Sequence, residues 1–280
     1  MTLKCSEPTS RFHPLGPLAV WIEKPSDPPK ARVLLVHGMS EHSGRHRNTV
    51  AALLAAGYLV VRFDLRGAGK SGGRRQWIER FSDYVDDAAR VYQWADRELP
   101  RAPWFALGHS LGGAVACHFA AHFSSELHGL VLSAPAFRAG GAISPIKIAV
   151  GTVLERFFPT LRLPAGADHG AISRDPAEVE AFRSDALSFH RQTLRMGVQT
   201  LAAMARMPEK CALIRCSTLL VHGSHDRLTR MEGSFELLRA LPPGDRSMHV
   251  IPGGYHEPHN DLGKEDYFAL LTRWLDKRCE

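Results

Sequence analysis

The sequence predicts an α/β fold, in which a mostly parallel central sheet is flanked by helices and interrupted by an inserted helical cap. Short apolar runs rich in β-branched residues alternate with segments of helical periodicity, as expected for successive βα units. This alternation stops after residue 135 and resumes near residue 217, with only helical patterns between. The 280 residues are 44% hydrophobic and 23% charged, which excludes intrinsic disorder.

The predicted strands are apolar runs whose length suits strands buried on both faces of a parallel sheet. They cover residues 18–23, 32–36, 59–64, 104–108, 129–133, 217–221 and 247–251. Predicted helices lie between them, at residues 48–56, 81–99, 113–123, 231–241 and 266–277. Gly57 after the first helix and Pro100 after the second are typical of helix ends.

The predicted cap spans residues 137–207, and the core then comprises residues 1–136 and 208–280. One cap helix should begin with Asp175 as its N-cap residue and Pro176 at its first position, and another should cover residues 189–207. Ahead of them lies an apolar stripe at helical spacing: Ile146, Ala149, Val150, Val153, Leu154, Phe157 and Phe158. Helical stripes usually pack on a core, but this pattern is equally compatible with an outward-facing stripe.

Charge and cysteine content bear on partners and location. The net charge is +6, but the positive residues are scattered without interleaved aromatics, so we expect no nucleic-acid partner. The five cysteines form no Cys-x-x-Cys pair, which predicts reduced thiols. The sequence shows no secretory segment and no apolar stretch of about 18 residues, which predicts a cytoplasmic protein.

The strongest local signal is Gly-His-Ser-Leu-Gly-Gly at residues 108–113, between a predicted strand and a predicted helix. A Gly-x-Ser-x-Gly motif in this context places its serine on a strained turn, where flanking side chains would collide with neighbouring backbone. The turn also projects the hydroxyl above the sheet, at the positive end of the helix dipole. We therefore predict that Ser110 is a nucleophile.

A serine nucleophile needs a histidine to take its proton and an acid to orient that histidine. In folds with this strand-to-helix turn, the acid and then the histidine follow the serine along the chain. Asp226 and His256 each come soon after a predicted strand, at the sheet edge where open α/β folds build their sites. We predict Asp226 as the acid and His256 as the base.

Other candidates fit this order less well. His259 lies further from the strand end than His256, and neither Asp245 nor Glu257 follows a strand in the required order. Three more histidines lie in tight glycine turns and should make turn hydrogen bonds or line the site: His37, His109 and His222.

No metal or cofactor is expected. His42 and His46 are spaced i,i+4, but glycine lies close to them in the chain. His256 and His259 are three residues apart with a proline between them, whereas a zinc-binding His-Glu-x-x-His motif requires four-residue spacing on a helix.

An acyl-transfer site also needs donors for the developing oxyanion, usually two backbone amides. One is expected at Leu111, directly after the nucleophile. The other is expected at Met39, in the turn after the predicted strand at residues 32–36.

Taken together, these motifs resemble the α/β-hydrolase superfamily, and within it the group of monoacylglycerol lipases and lysophospholipases. The matching stretches are His-Gly-Met-Ser-Glu-His-Ser-Gly-Arg at residues 37–45, Phe-Asp-Leu-Arg-Gly-Ala-Gly-Lys-Ser-Gly at 63–72, Gly-His-Ser-Leu-Gly-Gly at 108–113, His-Gly-Ser-His-Asp at 222–226 and His-Glu at 256–257. The first is the most particular to this group. The chain departs from the family at Leu65 and Ala68, where histidine is usual, and at His46, where an aromatic residue is usual.

The resemblance implies a serine carboxylester hydrolase that cleaves monoacylglycerols through an acyl-enzyme. A lysophospholipase or a broad short- and medium-chain carboxylesterase is the alternative, and a non-catalytic binding protein of the same fold is a more distant one. Since a single-chain lipid ester must leave a bilayer or micelle, we expect a mobile cap that touches the lipid surface transiently. Ile146, Val150 and Val153 would then line the acyl entrance, and the protein would act peripherally at the membrane.

Overall fold

The computed structural model describes residues 9–141, 144–164 and 168–279, and Cys5 lies outside them. The strands are β1 (Thr9–Leu15), β2 (Leu18–Lys24), β3 (Ala31–Val36), β4 (Tyr58–Phe63), β5 (Trp104–His109), β6 (Gly129–Ser133), β7 (Arg162–Pro164), β8 (Arg191–Thr193), β9 (Ser217–Gly223) and β10 (Arg246–Ile251). The helices are α1 (Arg47–Ala55), α2 (Ser82–Glu98), α3 (Leu111–Phe123), α4 (Pro145–Leu154), α5 (Pro176–Ser184), α6 (Leu194–Ala205), α7 (Met207–Cys211), α8 (Met231–Ala240) and α9 (Lys264–Asp276).

The central sheet has eight strands in the order β1-β2-β4-β3-β5-β6-β9-β10. Only the pairs β1–β2 and β2–β4 are antiparallel, and all other neighbours in this sheet run parallel. The predicted mostly parallel sheet is therefore confirmed. The sequence did not reveal β1, because this strand is largely exposed and lacks an apolar run.

Hydrophobic cores cover both faces of the sheet. Along β3, Leu34 and Val36 pack in one core, whereas Val33 and Leu35 pack in the other. Helices α2, α3 and α8 contribute to the first core, and α1 and α9 contribute to the second. Because both faces of the central strands are buried, these strands are continuous apolar runs, which made them recognisable in the sequence.

Between β6 and β9 the chain forms α4 to α7 and a small antiparallel sheet of β7 and β8. The sequence showed no convincing strand in this segment, and β7 and β8 were missed because strands of three residues are too short to show a period of two. The helix predicted at residues 189–207 is accordingly divided into β8, α6 and α7, with Thr193 capping α6. Helix α5 begins as predicted, with Asp175 as N-cap and Pro176 in its first turn. The assignment of residues 137–207 as a separate cap stays a prediction, and residues 142–143 and 165–167 of it lie outside the described parts.

Helix α4 carries the apolar stripe, but it ends at Leu154, so Phe157 and Phe158 lie beyond it. None of its residues is buried. The exposed fractions are 74% for Ile146, 50% for Val150 and 57% for Val153. The stripe therefore does not pack on the core. Within the described parts of the chain, no helix is both long and apolar enough to cross a bilayer.

Candidate active site

Ser110 lies between β5 and α3 in a backbone conformation that residues other than glycine rarely adopt, with φ 51° and ψ −117°. A Cβ atom at Gly108 would lie 2.2 Å from the carbonyl oxygen of Gly112, and one at Gly112 would lie 2.2 Å from that of Val36. Both positions therefore require glycine. The N–H of Ser110 donates to the carbonyl of Ser133 at 3.0 Å, which holds the turn in place. Strained turns of this kind present the nucleophile in serine hydrolases of this architecture.

The loops after β9 and β10 bring Asp226 and His256 together. Nδ1 of His256 lies 2.8 Å from Oδ2 of Asp226, whose carboxylate is completely buried. The other oxygen, Oδ1, accepts the backbone N–H groups of Leu228 and Thr229 at 2.8 and 3.0 Å. Since the Nδ1 proton of His256 is shared with the carboxylate, Nε2 is the atom that can accept a proton from a nucleophile.

Each member of this pair stabilises the charged form of the other. Burial acts to lower the pKa of His256, but the carboxylates of Asp226, Glu257 and Glu41, with Asp226 foremost, together raise that pKa above the ordinary imidazole value. Burial acts to raise the pKa of Asp226, yet His256 and His222 hold it well below its usual range. The result is an ionised carboxylate beside a basic imidazole, which is the combination that general-base catalysis requires.

The rival residues lie in different environments. His259 stacks on His46 with ring centroids 4.3 Å apart, and burial together with His46 holds the pKa of His259 well below the ordinary value. Glu257 accepts from the Arg45 guanidinium at 2.7 Å, and Asp245 is half-exposed in an ion pair at the surface. None of the three rivals therefore combines the position and the charge of the Asp226–His256 pair.

Two histidines in glycine turns hold the backbone near the site. Nδ1 of His37 donates to the carbonyl of Gly38 at 2.8 Å, and its Nε2 accepts the N–H of Leu65 at 2.9 Å. Nδ1 of His109 lies 3.1 Å from the carbonyl oxygen of Ser133. His37 therefore makes the predicted hydrogen bond within its turn, whereas His109 contacts the neighbouring strand β6.

The i,i+4 histidines bind different carboxylates. His42 lies 2.8 Å from Asp185, and His46 lies 3.2 Å from Glu41. The described residues contain no group of three or more side chains suited to hold a metal ion.

Met39 and Leu111, the predicted oxyanion donors, border the same cavity as Ser110. Leu111 opens α3, where the first N–H groups have no acceptor within the helix. Met39 follows Gly38, whose N–H donates to the buried carboxylate of Glu41. Glu41 thus fixes the turn that carries the Met39 amide. The sequence placed Glu41 in the 37–45 motif but did not indicate this role.

A cavity of 380 Å³ brings Ser110 and His256 to a common space. The inserted segment contributes part of its wall, including Gln192, Gly197, Thr200, Leu201 and Met204. The residues predicted to bind substrate, Ile146, Val150 and Val153, are not part of this wall, and their role at the acyl entrance stays a prediction. The sequence missed the residues of α6, because the helical period of residues 194–205 does not distinguish a face on a cavity from a face on a core.

Comparison with known proteins agrees with this geometry. Residues 27–263 match the family described as Serine aminopeptidase, S33. The chain is 34% identical to the monoacylglycerol lipase of Mycolicibacterium smegmatis over 91% of each protein. It is 31% identical to human monoglyceride lipase, over 91% of this chain and 85% of the human protein. The crystal structure of the Paleococcus ferrophilus monoacylglycerol lipase has a TM-score of 0.84 at 29% identity, covering 92% of this chain and 99% of that one. The chain therefore belongs to the α/β-hydrolase family, as a carboxylic ester hydrolase of the monoacylglycerol lipase-like group.

Proposed function

We propose that this protein hydrolyses monoacylglycerols to a fatty acid and glycerol, with Ser110, His256 and Asp226 as its catalytic triad. The observation that carries the proposal is the strained turn at Ser110 beside a cavity that His256 also borders, with the buried Asp226 carboxylate 2.8 Å from His256. The substrate class is supported by the monoacylglycerol lipases to which the chain is 29 to 34% identical.

The reaction proceeds through an acyl-enzyme. Oγ of Ser110 attacks the ester carbonyl while Nε2 of His256 takes the hydroxyl proton, and Asp226 stabilises the imidazolium that forms. The oxyanion accepts hydrogen bonds from the backbone N–H groups of Met39 and Leu111. His256 then gives its proton to the departing glycerol oxygen, and a water molecule repeats the sequence to release the fatty acid.

We also propose that the protein contacts a bilayer or micelle transiently through α4. Its exposed apolar side chains share the segment 144–164 with the exposed cations Lys147, Arg156 and Arg162. The one acidic residue of that segment, Glu155, is mostly buried near Arg195. An apolar surface bordered by positive charge suits a lipid interface, and substrate would leave the lipid near the cavity.

The test measures fatty acid release from medium- and long-chain monoacylglycerols, with lysophospholipids and short p-nitrophenyl esters for comparison. We expect monoacylglycerols to be the best substrates. Ser110→Ala should lower kcat/KM by several orders of magnitude at unchanged Tm, since triad members act as a unit. A fluorophosphonate probe should label the native protein and spare this variant.

Two results would contradict the proposal. A clear preference for lysophospholipids or for short esters would assign a different substrate. Covalent labelling that persists in Ser110→Ala would remove Ser110 as the nucleophile.

A further inference from the structure

A second serine–histidine pair contacts the carboxylate of Asp226 from within the core. His222 near the end of β9 and Ser234 in α8 are 0% and 1% exposed. Oγ of Ser234 lies 2.7 Å from Nδ1 of His222. Nε2 of His222 lies 3.1 Å from Oδ2 of Asp226, the same oxygen that pairs with His256 at 2.8 Å. One carboxylate oxygen therefore lies between two imidazoles, and that of His222 is hydrogen-bonded to a serine.

The distance between His222 and Asp226 indicates which nitrogen of His222 faces the carboxylate with a proton. Two lone-pair acceptors would repel each other at 3.1 Å, so Nε2 of His222 carries a proton and donates it to Asp226. Nδ1 of His222 is hydrogen-bonded to the hydroxyl of Ser234. The hydroxyl of Thr229 adds a further donor to the same oxygen of Asp226, at 2.8 Å.

This second pair has no access to substrate. Neither His222 nor Ser234 borders the 380 Å³ cavity, and both are buried between β9 and α8. Any effect on the reaction must therefore pass through Asp226, or through Thr229, whose hydroxyl lies 3.3 Å from Nε2 of His222.

We propose that His222, oriented by Ser234, is a positioning residue for the catalytic triad: it holds Oδ2 of Asp226 towards His256 and takes up part of its negative charge. The inference rests on the proposed function, because it presupposes that Asp226 and His256 act in the reaction. A donor on the carboxylate weakens its attraction for the imidazolium of His256. His222 therefore limits how far Asp226 raises the basicity of His256.

The other charged and titratable groups around His256 are expected to remain in place when His222 is changed, because His222 contacts none of them. Glu257 is its neighbour in the chain, the ring of His109 lies 4.8 Å away, and the carboxylate of Glu41 also acts on it. Among the groups that act on the charge of His256, only Asp226 is contacted by His222. A shift in the pH dependence after substitution at residue 222 would therefore report on Asp226, either directly or through Thr229, whose hydroxyl donates to the same carboxylate.

The test compares His222→Leu with His222→Gln, whose amide N–H can still donate to Asp226. The measurement is kcat/KM for a soluble p-nitrophenyl ester from pH 5 to 9. We expect His222→Leu to lose about tenfold or more, which corresponds to one hydrogen bond to a charged group. We also expect the acid midpoint of its profile to rise by roughly half a pH unit, and His222→Gln to recover most of the rate and of the native midpoint.

His118 provides a matched control. It is a buried histidine in α3 whose Nε2 lies 3.1 Å from the carbonyl oxygen of Ala203, away from the triad. His118→Leu should lower Tm without moving the pH midpoint. Should His222→Leu fail to fold, Ser234→Ala keeps the imidazole and removes only its orienting hydroxyl, and it should shift the midpoint in the same direction by less.

Two results would overturn the inference. One is a loss in His222→Leu that is uniform across pH with the midpoint unmoved, and the other is equal behaviour of the Leu and Gln variants. Failure of the proposed function is recognised separately, because Ser110→Ala would then retain activity whatever happens at residue 222.

Discussion

Helices α3 and α4 are both rich in apolar residues, yet they lie in opposite environments. Every residue of α3 from Leu111 to Ala120 is buried, whereas no residue of α4 is. Helix α3 connects the adjacent parallel strands β5 and β6, so it must cross back over the sheet and pack on it. Helix α4 belongs to an insertion without a neighbouring strand of the central sheet. Connectivity, and not apolar content alone, decides which of the two helices is buried.

The two helices also border different parts of the proposed reaction path. The N-terminus of α3 adjoins Ser110 and rests on a rigid core, which suits the positioning of reacting groups. The exposed side chains of α4 are available to a lipid surface. Changes near α3 should therefore affect every substrate, and changes in α4 should affect only those that arrive from lipid.

The largest expected effect lies at the triad beside α3. His256→Ala should lower kcat/KM by several orders of magnitude for soluble and lipid esters alike, because His256 transfers the proton. Asp226→Asn should lower it somewhat less, because Asp226 only orients the imidazole of His256. His259→Ala is the control and should retain much more activity. An inactive His259→Ala beside an active His256→Ala would reverse the assignment of the base.

The next effect concerns stability. Phe119→Ala in α3 removes a ring that is 1% exposed and should lower the free energy of unfolding by about 3–5 kcal/mol. Val153→Ala in α4, at a position that is 57% exposed, should change it by less than about 0.5 kcal/mol. Urea denaturation measures both. Comparable losses in the two variants would show that α4 packs on the core in solution.

A smaller effect on activity is expected from substitutions in α4. Replacing Ile146, Val150 and Val153 together with serine should lower hydrolysis of long-chain monoacylglycerols in micelles by roughly tenfold, the result of losing about 1.4 kcal/mol of interfacial binding. Short soluble esters and Tm should be nearly unchanged. A large fall in Tm with equal loss on every substrate would contradict a role at the lipid surface.

The smallest effect is a shift on the pH axis. The base must be neutral to accept the proton of Ser110, and Asp226 raises the pKa of His256. Activity should therefore fall as pH drops through a midpoint above the ordinary imidazole value of about 6.5. The serine-substituted α4 variant should share this midpoint on soluble esters, because α4 does not contact His256. A midpoint below the ordinary value in the native enzyme would contradict the assigned pair.

Much of the fold was predictable because its signals are local. The strands β3, β4, β5 and β6 are short apolar runs, and every strand of the sheet except β1 was located to within one or two residues. The turn at Ser110 was predictable for a similar reason, since its two close backbone approaches exclude side chains at Gly108 and Gly112. Elements with weaker local patterns, namely β1, β7 and β8, escaped detection.

Other features depend on side-chain contacts that no periodic or motif signal in the sequence reveals. His222 and Ser234 are twelve positions apart, and nothing in the local sequence indicates that Ser234 binds the imidazole that contacts Asp226. The Glu41 carboxylate received no role from the sequence, although it holds the turn before Met39. The wall of the cavity formed by α6 was likewise hidden, because an apolar helix face has the same period whether it borders a core or a cavity.

The sequence by itself determined seven of the eight strands of the central sheet, the helices between them and the candidates Ser110, Asp226 and His256, because backbone sterics, apolar periodicity and motifs can be read directly along the chain. The tertiary structure decided that α3 is buried and α4 exposed, and that one oxygen of Asp226 lies between His256 and His222. The physical reason is that burial and hydrogen-bond distance depend on how separate segments pack together, which no local pattern contains.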